Sequence, residues 1–465
     1  MEKHYDLVVI GAGPGGYVAA VKAAQLGMQV AVIENRELGG TCLNRGCIPT
    51  KTLMHSSHLY YEAQHFNEMG LELQGLSYDI TKIQDRKDEV VQNLRNGVSN
   101  LLKSNKVDVI FGAATIETDK RIAITSDTGI EYISTDKILI ATGSKPIVPV
   151  MEGIHLPNVV TSDELLSMKD KVYQKLLIIG GGVIGVEFAT IYRELGCEVV
   201  IVEAQERILP TMDREISLSV AFSLKKKGVK IFTSAHVERI TETSGLTCHF
   251  VQKEQELEVE AEGILVSIGR RANTEHLFGD GFELSMDRDK IEVNDKFETS
   301  ISGIYAIGDV IKGMQLAHMA SAQGTVAVEY MNGKEASIDL SVVPSCIYTT
   351  PEIASVGLTE EEAKQKGFSV ITGKYPMLAN SKTIISSEER GYIKVVFDSE
   401  TDKILGAQLL CSRATDIVGE FATAIVSGLT RKQLASVIRP HPTYEEAITE
   451  AVESASEKQI QKKDS

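Results

Sequence analysis

Two cysteines hold the strongest chemical signal in this chain. Cys42 and Cys47 lie in the segment Gly39-Gly-Thr-Cys42-Leu-Asn-Arg-Gly-Cys47-Ile-Pro-Thr-Lys51. A thiolate attacks sulfur, so two thiols within reach of each other can exchange with an external disulfide. In a regular helix, residues five apart are about 7.5 Å apart along the axis, whereas a disulfide wants Cα atoms about 4.4–6.8 Å apart. If the two pair, the turn between them must be distorted. Gly46 allows that, and Pro49 suits the first turn of a helix beginning just after it. The loop closes too little chain to add much stability. A bond here in a reducing compartment therefore reads as catalytic rather than structural. The other reading of the spacing alone is a pair of buried thiols that never join. Cys197, Cys248, Cys346 and Cys411 show no paired spacing and read as core or surface residues.

Thiol chemistry needs a base that titrates near the working pH, and histidine is the natural choice. His441 sits between Pro440 and Pro442, which restrict the backbone there. Glu446 could bond its second ring nitrogen, fixing the tautomer and stabilising the cation. Thr443-Tyr-Glu-Glu446 is also a T-x-x-E capping box opening a helix, so Glu446 has two possible duties. No other histidine has such a neighbourhood, and no metal site is expected.

The elements that must position these groups occur twice. Residues 5–10 form an apolar run leading into Gly11-Ala-Gly13-Pro-Gly-Gly16, then an Ala-rich helix, a second apolar run at 30–33 and Glu34. Residues 176–179 lead in the same way into Gly180-Gly-Gly182-Val-Ile-Gly185, a helix, a strand at 198–202 and Glu203. In each unit the acid follows the first glycine by 23 residues. This is the strand, glycine turn, helix, strand, acid order of a dinucleotide site. The first glycine makes the tight turn, the second lets backbone approach a pyrophosphate, and the third lets helix and strand pack closely. The helix N-terminus offers N–H groups to phosphate, and the acid accepts from a ribose diol. Glu203, followed by Ala204 and Gln205, repels a 2′-phosphate and so favours NAD over NADP. Three further signposts are a strand at 137–140 with Ala141-Thr142-Gly143, a strand at 264–268 with Gly269-Arg270, and a strand at 304–307 with Gly308-Asp309. From about residue 343 onward, short strands and helices without a phosphate loop predict a separate α+β domain.

The composition is that of an ordinary globular chain. Its 465 residues allow about three domains. A net charge of −16 disfavours general nucleic-acid or anionic-lipid binding. No apolar run reaches the ~18–20 residues a bilayer span needs, and the N-terminal run lacks the cleavage site of a secretory signal. Six cysteines are too few for a secreted disulfide scaffold, so a cytoplasmic setting is expected.

Taken together, GAGPGGYVAA, GGTCLNRGCIPTK, IIGGGVIGVEFA, YAIGDV and HPTYEE resemble the motifs of the flavin-dependent pyridine nucleotide–disulfide oxidoreductases, in order and over essentially the whole chain. The resemblance implies an α/β fold with two Rossmann-like domains, for FAD and NAD, and a C-terminal α+β dimerisation domain. It places the FAD domain at 1–146 and 271–342, the NAD domain at 147–270 and the dimerisation domain at 343–465. It implies that Cys42 and Cys47 form a redox disulfide, with Cys42 exchanging with substrate and Cys47 beside the flavin. His441 matches the catalytic base and Glu446 its orienting carboxylate. Toward FAD it assigns Gly11, Gly13, Gly16, Glu34 and Lys51, the Ala141-Thr142-Gly143 turn, Asp309 and Ala317. Toward NAD it assigns Gly180, Gly182, Gly185, Glu203 and Gly269, together with Glu187, which pairs with Lys51 near the flavin's reactive nitrogen. The implied activity is oxidation of dihydrolipoamide to lipoamide with NAD+ as acceptor, in a homodimer whose active site is completed across subunits. The implied partner is the lipoyl domain of a 2-oxoacid dehydrogenase complex or of glycine cleavage. The alternative is an NADH-dependent reductase of another small disulfide. One departure is Gln323, where the family usually has Glu.

Overall fold

Continuous apolar runs, rather than alternating ones, mark strands covered on both faces. β1 (Lys3–Ile10) is such a strand, its last four residues Leu7-Val8-Val9-Ile10 all buried. The computed structural model describes residues 3–117, 120–388 and 390–463. β1 pairs in parallel with β2 (Val30–Glu34) on one side and with strand Gly129–Ile140 on the other. The register sets Val9 between Val32 and Leu139. Strand Asp108–Phe111 extends the sheet in parallel beyond β2, and strand Ile304–Ala306 runs parallel to the end of Gly129–Ile140. Strands Arg121–Ser126 and Ala113–Ile116 complete it antiparallel. α1 (Pro14–Gln25) crosses from β1 to β2 and buries Ala19, Ala20 and Ala23, small side chains that bring it close to the sheet.

This parallel arrangement fixes where a ligand can sit. Ile10, Glu34, Ile140 and Ala306 end parallel strands, so the glycine loop, the first acid, the Ala141-Thr142-Gly143 turn and Gly308-Asp309 share one carboxyl edge. That edge is where open α/β sheets bind ligands. α2 (Gly40–Arg45) and α3 (Cys47–Ala63) follow β2, and a long helix, Ile80–Ser104, is capped at its start by the Asp79 carboxylate accepting from the Thr81 and Lys82 N–H groups. All of these belong to one compact unit, residues 1–173 with 263–340.

The second unit comprises residues 174–262 with 341–465. Strand Lys175–Ile179, helix Val183–Glu194 and strand Glu198–Val202 repeat the strand, glycine turn, helix, strand order, and Lys230–Phe232 adds a further parallel strand. A three-stranded antiparallel sheet over residues 235–261 follows. The C-terminal part is an antiparallel sheet in the order Ser345–Ile347, Ile353–Gly357, Ile404–Leu410, Tyr392–Asp398, Val370–Pro376. Helices Ala414–Val426 and Glu446–Lys463 cover it, with Phe397, Phe421 and Ile448 fully buried between the layers. The α+β character expected from residue 343 is what forms. Among the described residues no helix is long and apolar enough to cross a membrane.

Candidate active site

Cys42 and Cys47 are joined by a disulfide with their Cα atoms 4.7 Å apart. Cys42 lies in α2 and Cys47 opens α3. Gly46 between them leaves helical geometry, at φ −145° and ψ −110°, and this break brings the sulfurs together. The helix starts at Cys47, so Pro49 is its third residue, where the missing N–H would have had no intrahelical partner. The pair is seated on the first glycine loop. A Cβ on Gly40, which has φ +60°, would fall 2.5 Å from the Gly13 Cα, and the Gly39 N–H donates to the Ala12 carbonyl at 2.8 Å. Lys51 lies one turn along α3 from Cys47 and is half-buried. The other thiols suit packing. Burial pushes Cys197 up to about 11 and Cys248 and Cys411 up to about 12, which leaves them unreactive. Cys346 is half-buried.

The two glycine loops match each other bond for bond. Gly11 and Gly180 take φ of +102° and +106°. One Glu34 carboxylate oxygen accepts from the Ala12 N–H at 2.8 Å and the other from the Arg36 N–H at 2.9 Å. Glu203 does the same toward the Gly181 and Gln205 N–H groups, at 2.5 and 2.6 Å. Both carboxylates are 7% exposed. Each acid therefore pins its own loop, and every oxygen keeps a second lone pair for a ribose hydroxyl. A Cβ on Gly16 would collide with the Gly11 carbonyl, and Gly185 lies on the buried face of its helix, so the third glycine serves packing in both loops. A Cβ on Gly182 would meet nothing within 4 Å, and one on Gly13 only the Gly40 Cα at 3.8 Å, so both loops leave a cradle a side chain would fill. These features fit a dinucleotide on each loop.

The carboxyl edge of the first sheet carries a polar network that spacing alone did not disclose. The Ser144 hydroxyl donates to Asp309 at 2.6 Å and accepts from Arg270 Nε at 2.8 Å. Arg270 also donates to the Ser144 carbonyl at 2.7 Å, and burial lowers its affinity for its proton. Gln323 accepts from the Gly308 N–H at 2.7 Å, supporting the Asp309 turn without a charge. Beside it the Thr142 hydroxyl is buried and makes no hydrogen bond, which a bound flavin nucleotide could answer. Gly143, at φ +70°, has open space at its Cβ position, and Ala317 begins helix Ala317–Met331. Gly269 takes φ +125° just before Arg270.

In the second unit, His441 Nδ1 meets one Glu446 oxygen at 2.8 Å, while the other accepts from the Thr443 N–H at 2.9 Å. One carboxylate thus makes both of the bonds open to it in the sequence. The capping box is only half formed: the Thr443 hydroxyl donates to the Pro440 carbonyl, and the helix begins at Glu446 itself. These bonds hold the Glu446 carboxyl below the usual carboxylate range, the Thr443 N–H contributing most. Glu187 is 3% exposed and accepts from the Tyr348 N–H at 3.1 Å. Lys51 and the disulfide lie in the first unit, Glu187 and His441 in the second.

A disulfide mounted on a dinucleotide loop, with a second such loop elsewhere in the chain, is the layout of a nucleotide-dependent thiol–disulfide oxidoreductase. Residues 5–324 match the pyridine nucleotide-disulphide oxidoreductase family and residues 343–452 its dimerisation domain, and the chain belongs to this family. It is 42% identical to a dihydrolipoyl dehydrogenase of Bacillus subtilis, the match covering 99% of this chain and 100% of that protein. It is 40% identical to the mitochondrial dihydrolipoyl dehydrogenase of Pisum sativum, covering 98% and 92%. Among solved structures it is similar to the HOCl-induced flavoprotein disulfide reductase RclA of Escherichia coli, with a TM-score of 0.86 and 31% identity over 97% of this chain and 99% of that one. LpdA of Mycobacterium tuberculosis gives a TM-score of 0.88 at 26% identity over the same shares.

Proposed function

We propose that this protein is an NAD-linked dihydrolipoyl dehydrogenase, oxidising dihydrolipoamide to lipoamide. The Cys42–Cys47 disulfide, packed against the first glycine loop, carries the proposal, and full-length likeness to two dihydrolipoyl dehydrogenases supports it. A substrate thiolate attacks Cys42, the Cys42–Cys47 bond breaks, and the second substrate thiol then displaces Cys42 to release lipoamide. Two protein thiols result, so electrons and protons balance. His441 takes the proton of the attacking thiol, and the Glu446 carboxylate holds the ring by Nδ1, leaving Nε2 for that work. When bound, FAD supplies the two-electron relay from the dithiol to NAD+. Glu34, Asp309 and the Gly11-to-Gly16 loop would hold FAD, with Lys51 near its reactive end. Glu203, Gly269 and the Gly180-to-Gly185 loop would hold NAD. Domain limits of 1–146 with 271–342, 147–270 and 343–465 belong to the same reading. So does a homodimer whose active site is completed across subunits, which the dimerisation-domain match supports. The lipoyl domain of a multienzyme complex is the proposed partner. The cytoplasm is the proposed compartment, since a short exchanging disulfide, in a chain whose Cys197, Cys248 and Cys411 form no disulfide, suits a reducing setting. The test compares turnover of the purified protein with NADH plus lipoamide against NADPH plus oxidised glutathione. Fast turnover with the first pair alone supports the reading. The reverse ranking would replace it with a reductase of another small disulfide.

A further inference from the structure

Arg95, on helix Ile80–Ser104, reaches across 51 residues of sequence to the segment between the two cysteines. Its Nε and Nη2 donate to the Asn44 side-chain oxygen at 3.1 and 2.8 Å. The Asn44 amide nitrogen donates to the Leu38 and Gly40 carbonyls at 3.0 and 2.9 Å. Both lone pairs and both protons of the amide are thus engaged. α2 is six residues long, too short to persist as an isolated helix, and Gly46 interrupts the chain directly after it. Residues outside the loop must therefore fix where Cys42 stands relative to Cys47.

We infer that the Arg95–Asn44 clamp sets the balance between disulfide and dithiol by holding Cys42 opposite Cys47 when the bond is open. This rests on the redox reading of that pair. The exchange is dihydrolipoate plus protein disulfide giving lipoate plus two protein thiols, with two electrons and two protons moving together. A clamped dithiol is pre-organised, so closing it costs little chain entropy. An unclamped one must first find the geometry. Losing the clamp therefore makes oxidation less favourable and raises the reduction potential. The guanidinium charge acts in the opposite sense, because a nearby cation stabilises thiolate and hence the reduced form. The sign of the shift separates the two roles.

The test equilibrates the holoprotein with graded ratios of dihydrolipoate to lipoate, traps free thiols by alkylation and counts labels on Cys42 and Cys47 by mass spectrometry. In Arg95→Met the constant for oxidation should fall about tenfold, which is a rise of about 30 mV for a two-electron couple. Asn44→Ala should match it, and the double variant should cost no more than the larger single change. Arg95→Lys keeps the charge but loses the fork and should shift the same way, which covers a failure of Arg95→Met to fold. A midpoint in the Arg95 variants that is unchanged, or shifted downward, overturns the clamp, even if thermal stability falls. A wild-type disulfide that dihydrolipoate cannot open at any ratio removes the redox reading instead.

Discussion

Replacing Glu203 by arginine is the obvious way to turn NAD preference toward NADP, and the structure predicts that it fails. The Glu203 oxygens accept from the Gly181 and Gln205 N–H groups at 2.5 and 2.6 Å, in a carboxylate that is 7% exposed. Arginine has no acceptor, so both donors lose their partner beside a new cation. The Gly181 N–H is buried, and left unmatched it costs about 1–3 kcal/mol, whereas the Gln205 N–H, on an exposed residue, can turn to water. At about 2–4 °C per kcal/mol for a cooperative unit of 150–250 residues, the thermal midpoint should fall by at least about 2 °C with no nucleotide added. Glutamine keeps one acceptor, which can still serve the Gly181 N–H, and should lose less. The assay is thermal denaturation of wild type, Glu203→Gln and Glu203→Arg without nucleotide. Amide hydrogen exchange at residues 181 and 205, and NADH and NADPH kinetics, complete it. Glu203→Arg should lose NADH use without gaining NADPH use, and both amides should exchange faster. A stable Glu203→Arg protein with protected amides and efficient NADPH turnover would refute the pinning argument.

Other outcomes follow from the histidine pair. His441→Gln should slow dithiol oxidation at least about 10²-fold, the lower range for loss of a general base, while NADH still bleaches the flavin. A loss under tenfold would remove His441 from the reaction. The Glu446 carboxyl titrates below its ordinary value of 4.5 in the folded chain. A folded value below the unfolded one means stability that is complete above the unfolded value and lost as pH falls through the folded one. Glu446 is only partly buried, so this amounts to less than about 1 kcal/mol. The midpoint difference between wild type and Glu446→Gln should be full at neutral pH and shrink below about pH 4.5. A difference that stays constant down to pH 3 would contradict the assignment.

What could be read from residues alone was the chemistry that demands particular types at particular spacings. The glycines must be glycine to make the turn and admit phosphate, so both loops and their acids were legible, as was the break at Gly46 needed for Cys42 to reach Cys47. What could not be read depends on backbone partners or on distant residues. The N–H donors that pin Glu34 and Glu203 belong to peptide groups, which every residue type carries. Arg95 meets Asn44, and Arg270 meets Ser144 126 residues away, only because the sheet and its helices bring them together. Gln323 looked like a neutral departure, yet it supplies the acceptor for the Gly308 N–H beside Asp309. The two readings of Glu446 could not be separated in sequence because the carboxylate makes a bond of each kind, one oxygen to the His441 ring and the other to the Thr443 N–H.

In the proposed reaction, substrate electrons enter through the Cys42–Cys47 disulfide. The direct measurement adds one equivalent of dihydrolipoamide to the oxidised holoprotein without NAD+, alkylates at once and locates the labels by mass spectrometry. New labels on Cys42 and Cys47, with Cys197, Cys248 and Cys411 unchanged, are predicted. Turnover of dihydrolipoamide while that disulfide stays closed would contradict the account.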